Sequence, residues 1–360
     1  MLYELENKTA LCDINAQCTE LDSNNEILGT ALMAIEELSD IASIIDKEDT
    51  TDNALEIANV AVEAIYTRLG YTYKDNNKIA LEGISDTIKK IWEAIKSFFR
   101  RILDGIKSLW TKIDETFEVN DSNIKRIEER ISIIKEDKKV LRTDVDMNVA
   151  LYCNTFNVSS GDYISQGIKH TLTTHANVLK QRSIVNKDIE KLFKAIPEVK
   201  DTKEATELAE KLNPTKHIKD TKFASGLELL TSVHGAEGIV HITLASNRID
   251  AESIKAKPIS VDKLEGVLLE LKKFRKVIDE HKAVAKESEA IIKAAILVTE
   301  KLSQDEKVDY TLSRLRAKLF ESGQESLLVI SARIPKAGMW TYITGLSFIN
   351  ANLSCYIDPQ

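Results

Sequence analysis

Residues 80–117 read ALEGISDTIKKIWEAIKSFFRRILDGIKSLWTKIDETF. Large apolar side chains fall at Ile84, Ile88, Ile91, Trp92, Ile95, Phe98, Phe99, Ile102, Leu103, Ile106, Leu109, Trp110, Ile113 and Phe117. Steps of three and four recur throughout, which places all of them on one wide face of a single helix. The opposite face carries Lys89, Lys90, Lys96, Arg100, Arg101, Lys107 and Lys112, against only Asp86, Glu93 and Asp104 up to Ile113. The stretch is therefore a basic amphipathic helix, about 50 Å long at 1.5 Å per residue.

Charge changes sign at this helix. Residues 1–82 contain 17 acidic and 5 basic side chains, and residues 83–360 contain 40 and 44. The net charge of −8 on the whole chain thus divides into −12 on the first quarter and +4 on the rest. At 360 residues and 43% hydrophobic content the chain can bury a substantial core. With 29% charged residues, 6% aromatics and only 5 prolines, the composition is that of a mostly helical protein. Cys12, Cys18, Cys153 and Cys355 form no CxxC pair and no regular framework, which fits a reducing, intracellular setting. The first residues lack the basic and apolar regions of a secretory signal, and no run of 18 apolar residues predicts a spanning helix.

Outward from the basic helix, residues 1–24 are polar with little periodicity and are expected to be flexible. Acidic helices are expected over 25–45 and 52–69, with Asp52 as N-cap and Gly70 as stop. Tyr71–Lys78 is polar and reads as a linker. Another charged helix is expected over 121–141, irregular or strand-like structure over 143–160, helices over 163–195 and 201–212, and a strand over 238–246. Residues 261–302 predict one very long helix that packs as a hairpin or coiled coil. Helical pattern continues over 305–332, is broken at Pro335 and Gly338, and resumes in a final packed helix. The fold class is mainly α: an elongated bundle with long antiparallel helices and minor strands near 143–160 and 238–246. The domain reading is 1–82, an acidic helical segment with linker; 83–118, the basic helix; and 119–360, a helical body.

Catalytic patterns are missing. The sequence has no HExxH, GxSxG, Walker A or GxGxxG. The histidines are His170, His175, His217, His234, His241 and His281; the first two are five apart and do not stack on one helical turn. The sequence gives no ground for an enzyme, a metal site, a cofactor or a small-molecule substrate. The basic amphipathic helix is open to two readings: its apolar face covers the protein's own core, or it meets a membrane, a partner helix or nucleic-acid phosphates.

The four residues Ala80, Leu81, Glu82 and Gly83 supply a context. With the acidic segment before them and the helix GISDTIKKIWEAIKSFFRRI after them, the chain resembles the internal head proteins of large-genome tailed bacteriophages, also called inner-body or ejected virion proteins. The resemblance covers residues 1 to about 115 and is one of layout. In that family a prohead protease removes an acidic N-terminal propeptide inside the maturing capsid. It cuts after Glu in short motifs of the small-or-aliphatic, any residue, Glu type. Mature members tend to begin with Gly and a Lys-rich amphipathic helix containing Trp and Phe. The resemblance implies cleavage between Glu82 and Gly83, with the new helix beginning at about Ile84 or Ser85. It further implies synthesis in the host cytoplasm, packaging in the capsid interior with capsid or core proteins and non-specifically bound double-stranded DNA, and ejection into the host. Similar triplets at Ala54–Glu56, Gly226–Glu228 and Lys263–Glu265 lack the linker and charge break that mark Glu82. The alternatives are a membrane-active protein resembling a pore-forming toxin, and a capsid core scaffold.

Overall fold

A computed structural model describes residues 2–46, 51–70, 81–212, 222–223, 226–234, 239–246, 252–280, 284–305 and 308–358. It is mainly α, as the periodicity predicts, and is organised along one helix, α3 (Leu81–Glu136), 56 residues long. At 1.5 Å per residue that is about 84 Å. The apolar positions of α3 keep a spacing close to the 3.6-residue helical period, so one face stays turned toward its neighbours from Ile84 to Ile134. The boundary expected at 118 falls inside this helix. Thr116 and Asn120 continue the buried face there, each returning its side-chain donor to a carbonyl one turn back.

Three helices run antiparallel to α3. Helix α1 (Leu2–Ile45) sets Leu21 against Gly105 and Asp13 near Lys112. Helix α7 (Val261–Glu280) pairs Asp262 with Lys135, Lys272 with Glu128 and Arg275 with Asp121. Helix α8 (Val284–Ser303) continues along the same line, pairing Glu289 with Lys107 and Glu300 with Lys96. The long helix expected over 261–302 is thus described as two helices that follow α3 in succession; residues 281–283 lie outside the described residues.

Residues 2–24 are the largest departure from expectation. They belong to α1, and its buried positions Ile14, Cys18, Leu21, Asn25, Leu28, Leu32, Ile35, Ser39 and Ala42 alternate steps of four and three. That is a heptad seam. Cysteine, asparagine and serine occupy three of its positions, which hides the seam from a count of large apolar residues. Helix α2 (Asp52–Arg68) folds back on α1, with Thr51 rather than Asp52 accepting the capping N–H. Arg68 pairs with Glu37, and Tyr66 hydrogen-bonds Thr87 near the start of α3. Residues 71–80, which include the expected linker and Ala80, lie outside the described residues.

Short strands β1 (Val140–Leu141) and β2 (Met147–Asn148) precede α4 (Ala150–Phe156), so the irregular region expected over 143–160 is a mixture of strand, helix and turn. Asn157 ends α4 in the left-handed region, which asparagine tolerates. Helix α5 (Ile164–Ala195) lies against α7 and α8, and α6 (Thr202–Lys211) follows with Asp201 as its cap. Strands β3 (Leu227–His234) and β4 (Ile239–Ser246) form an antiparallel hairpin, close to the strand expected over 238–246. Strand β5 (Lys255–Ala256) pairs with β2, and β6 (Tyr356–Ile357) pairs with β1, tying the last helix to the end of α3.

Pro335 does not break the chain as expected. Helix α9 (Tyr310–Leu328) runs into a π-helical turn, Val329–Arg333, and directly on into α10 (Ile334–Leu353). Proline has no N–H for the carbonyl four residues earlier, which belongs to Ser331. The indole N–H of Trp110 on α3 donates to that buried carbonyl at 2.9 Å. A helix irregularity and a core tryptophan therefore satisfy one another. Replacing Trp110 with Phe is expected to cost about 1–3 kcal/mol for the stranded carbonyl, beyond the lost packing. In a Pro335→Ala background, where a backbone N–H is restored, the loss should be smaller. Urea midpoints of the four chains in the double-mutant cycle measure the difference, and equal losses in both backgrounds would refute the coupling.

Candidate functional site: the first turns of the central helix

The apolar face singled out in the sequence is turned inward. Ile84, Ile88, Ile91, Trp92, Ile95, Phe99, Ile102, Ile106, Leu109, Trp110 and Ile113 are all buried. Trp92 meets Phe320 of α9 at 5.2 Å between ring centroids, and Phe99 meets Phe193 of α5 at 5.8 Å. Phe98 and Leu103 of this face are half-buried, Phe98 beneath the Arg101 guanidinium. Among the described residues no helix is long and apolar enough to cross a membrane. The face that could enter a bilayer is already covered by the protein's own helices.

The basic residues of α3 divide into two sets. Lys96 lies between Glu93 and Glu300, and the Glu93 hydrogen bond raises its pKa. Lys107 faces Glu289 at 3.6 Å, and Lys112 pairs with Glu115 at 2.9 Å. These three are engaged with carboxylates. Lys90, Arg100 and Arg101 are exposed, and Lys89 is half-buried. The structure therefore leaves a smaller basic surface than the sequence pattern suggests.

Leu81 and Glu82 already belong to α3, so the backbone is helical at least three residues before the expected start at Ile84 or Ser85. Gly83 is exposed, and a Cβ placed there would meet no atom within 4 Å. The Glu82–Gly83 bond thus lies within the first described turn of α3. Thr87 donates to the Gly83 carbonyl at 2.8 Å.

What the sequence reading missed lies on α1. Its acidic side chains meet basic ones on α9 and the turn after it. Asp40 pairs with Arg314 at 3.0 Å, Glu36 with Lys318 at 3.8 Å, and Asp22 with Arg333 at 3.0 Å. Arg333 also pairs with Glu325, whose other oxygen accepts from Asn25 in the α1 seam. The acids recur at intervals that keep them on one flank of α1, a signal visible in the sequence once α1 is known to pack there.

His170 is exposed and His175 buried on the same helix, while His217 and His281 lie outside the described residues. Among the described residues no group of three His, Cys, Asp or Glu could hold a metal ion. Deep in the core, Arg182 on α5 reaches Glu287 at 3.4 Å and lies 5.8 Å from the Trp110 ring. Asn186 donates to the same Glu287 oxygen at 3.1 Å. Burial lowers the Arg182 pKa to about 10, with Glu287 opposing the shift, so the guanidinium stays charged at neutral pH. This pair, buried at Arg182 and partly exposed at Glu287, joins α5 to α8.

These features describe a helical structural protein whose distinctive surface is a charge-divided N-terminal region. A family model described as phiKZ-like phage internal head proteins matches residues 6–317. The chain belongs to that family, and is a protein of the phage head interior. No curated protein and no solved structure matches it.

His175 gives this core a pH dependence. Its ring is fully buried, 4.7 Å from the Phe223 ring and edge-on to Phe274, and burial lowers its pKa to about 3. The unfolded chain takes up this proton near pH 6.5 and the folded chain only near pH 3. The contribution of neutral His175 to stability is thus complete above about pH 6.5 and declines as pH falls toward 3. A His175→Phe chain should lose about 2–3 kcal/mol less than wild type between pH 7 and 4.5. Denaturant unfolding at the two pH values tests this, and parallel losses in both chains would exclude His175 as the source.

Proposed function

We propose that this internal head protein is made with residues 1–82 as an acidic propeptide, which a prohead protease removes by cutting after Glu82 during head maturation. The mature protein then stays with the packaged DNA in the capsid interior and leaves with it at ejection. Its role is structural rather than enzymatic. The observation that carries this reading is the charge division at the joint between α2 and α3. Separating −12 from +4 turns an acidic protein into a weakly basic one, able to remain beside closely packed phosphates. Family membership supplies the setting. Gly83 is exposed and open on its Cα face, which supports access by a protease to the Glu82–Gly83 bond once the helix unwinds locally.

The partners in this reading are the prohead protease, capsid or core proteins and double-stranded DNA without sequence preference. The burial of the α3 apolar face gives the membrane-active alternative no comparable support. Protein from mature particles should begin Gly83-Ile84-Ser85-Asp86, and Glu82→Gln should leave the uncut chain in those particles. The mature protein should bind duplex DNA weakly, with affinity falling steeply as salt is raised. N-terminal sequencing and binding at two salt concentrations measure both. An intact N-terminus in mature heads would refute the processing step.

A further inference from the structure

The acidic helix is held by far more than its covalent tether. Leu21, Leu28, Leu32 and Ile35 are each at most 1% exposed, and they belong to the same continuous core as α3 and α9. Gly105 makes room for one of them: a Cβ there would stand 2.6 Å from Leu21 Cδ2. Beside this apolar seam run the three cross-helix ion pairs, Asp22–Arg333, Glu36–Lys318 and Asp40–Arg314. Single ion pairs at partly exposed positions are weak. Three in sequence on antiparallel helices still select one direction and one register for the occupant.

We infer that α3, α9 and the turn leading into α10 form a groove that receives an acidic amphipathic helix. Its occupant is the chain's own α1, which stays seated after the chain is cut between α2 and α3. The cut breaks the peptide link but removes none of the contacts that bury α1. Severing the chain and releasing the acidic segment are therefore separate events. The second needs degradation of α1 or a competing partner. The basic side chains Arg314, Lys318 and Arg333 become available to phosphates only at that second event. The inference takes its biological setting from the processing reading, but its physical claim holds for any cut at this joint.

The test places a recognition sequence for an unrelated site-specific protease within residues 71–80 of the full chain and cuts after folding. Gel filtration at micromolar concentration should return both fragments in one peak. Elution of the large fragment free of the acidic one would overturn the inference. In the chain carrying Arg314→Glu, Lys318→Glu and Arg333→Glu, the cut fragments should associate at least tenfold more weakly and separate on dilution. Unchanged retention would overturn the role assigned to charge. If circular dichroism shows that this chain does not fold before cutting, Asp22→Asn, Glu36→Gln and Asp40→Asn remove the same pairs without reversal and are read in its place. The two readings fail differently. A native N-terminus other than Gly83 would refute the proposed processing and leave the groove intact, whereas release after the engineered cut would refute the groove alone.

Discussion

Burial of a single long apolar face, that of α3, is the constraint on which the other elements depend. A helix of this length cannot satisfy such a face against one neighbour of ordinary size. The chain supplies α1 along one side, α7 and α8 end to end along another, and α9 and α5 across the aromatic stretch at Trp92 and Phe99. Each large side chain taken fully out of water contributes about 1.5–3 kcal/mol. The helices are antiparallel, and carboxylates of α7 and α8 meet lysines of α3 in reverse sequence.

Two polar arrangements inside this core join helices that are distant in the chain. Pro335 withholds a donor from the Ser331 carbonyl, and Trp110 supplies one from a helix more than two hundred residues earlier in the chain. Arg182 brings a charge into the interior, where Glu287, Asn186 and the Trp110 ring receive it. A shifted α3 would take Trp110 away from both the Ser331 carbonyl and the Arg182 guanidinium, so these contacts favour a single register. They connect α3, α5, α8 and the π-helical turn at one level of the bundle.

The acidic N-terminal region joins two roles in one helix. Its heptad seam makes α1 part of the core, and its flanking carboxylates cover basic groups on α9 and beyond. A segment designed only to add negative charge would need no buried Leu28 or Ile35. One designed only to pack would need no acids opposite Arg314 and Arg333. Loss of such a segment would change both the charge and the exposed apolar surface of what remains.

The sequence by itself determined the mainly helical class, the amphipathic face of residues 84–113, the β4 strand and the charge division at residue 82. Each is written in local periodicity or in a count of side chains, and needs no knowledge of distant residues. It also carried enough of the layout at Ala80–Gly83 to indicate the family. Only the tertiary structure decided that α3 runs unbroken past 118, because Thr116 and Asn120 are polar residues that become buried by bonding back to their own helix. Only it decided that residues 11–24 pack, since Cys18 and Asn25 gain their place in a seam from the helices opposite. Pro335 carries the same lesson. Its local tendency to end a helix was overridden by an indole N–H supplied from elsewhere in the fold, and no pattern along the chain records that a donor will be waiting there.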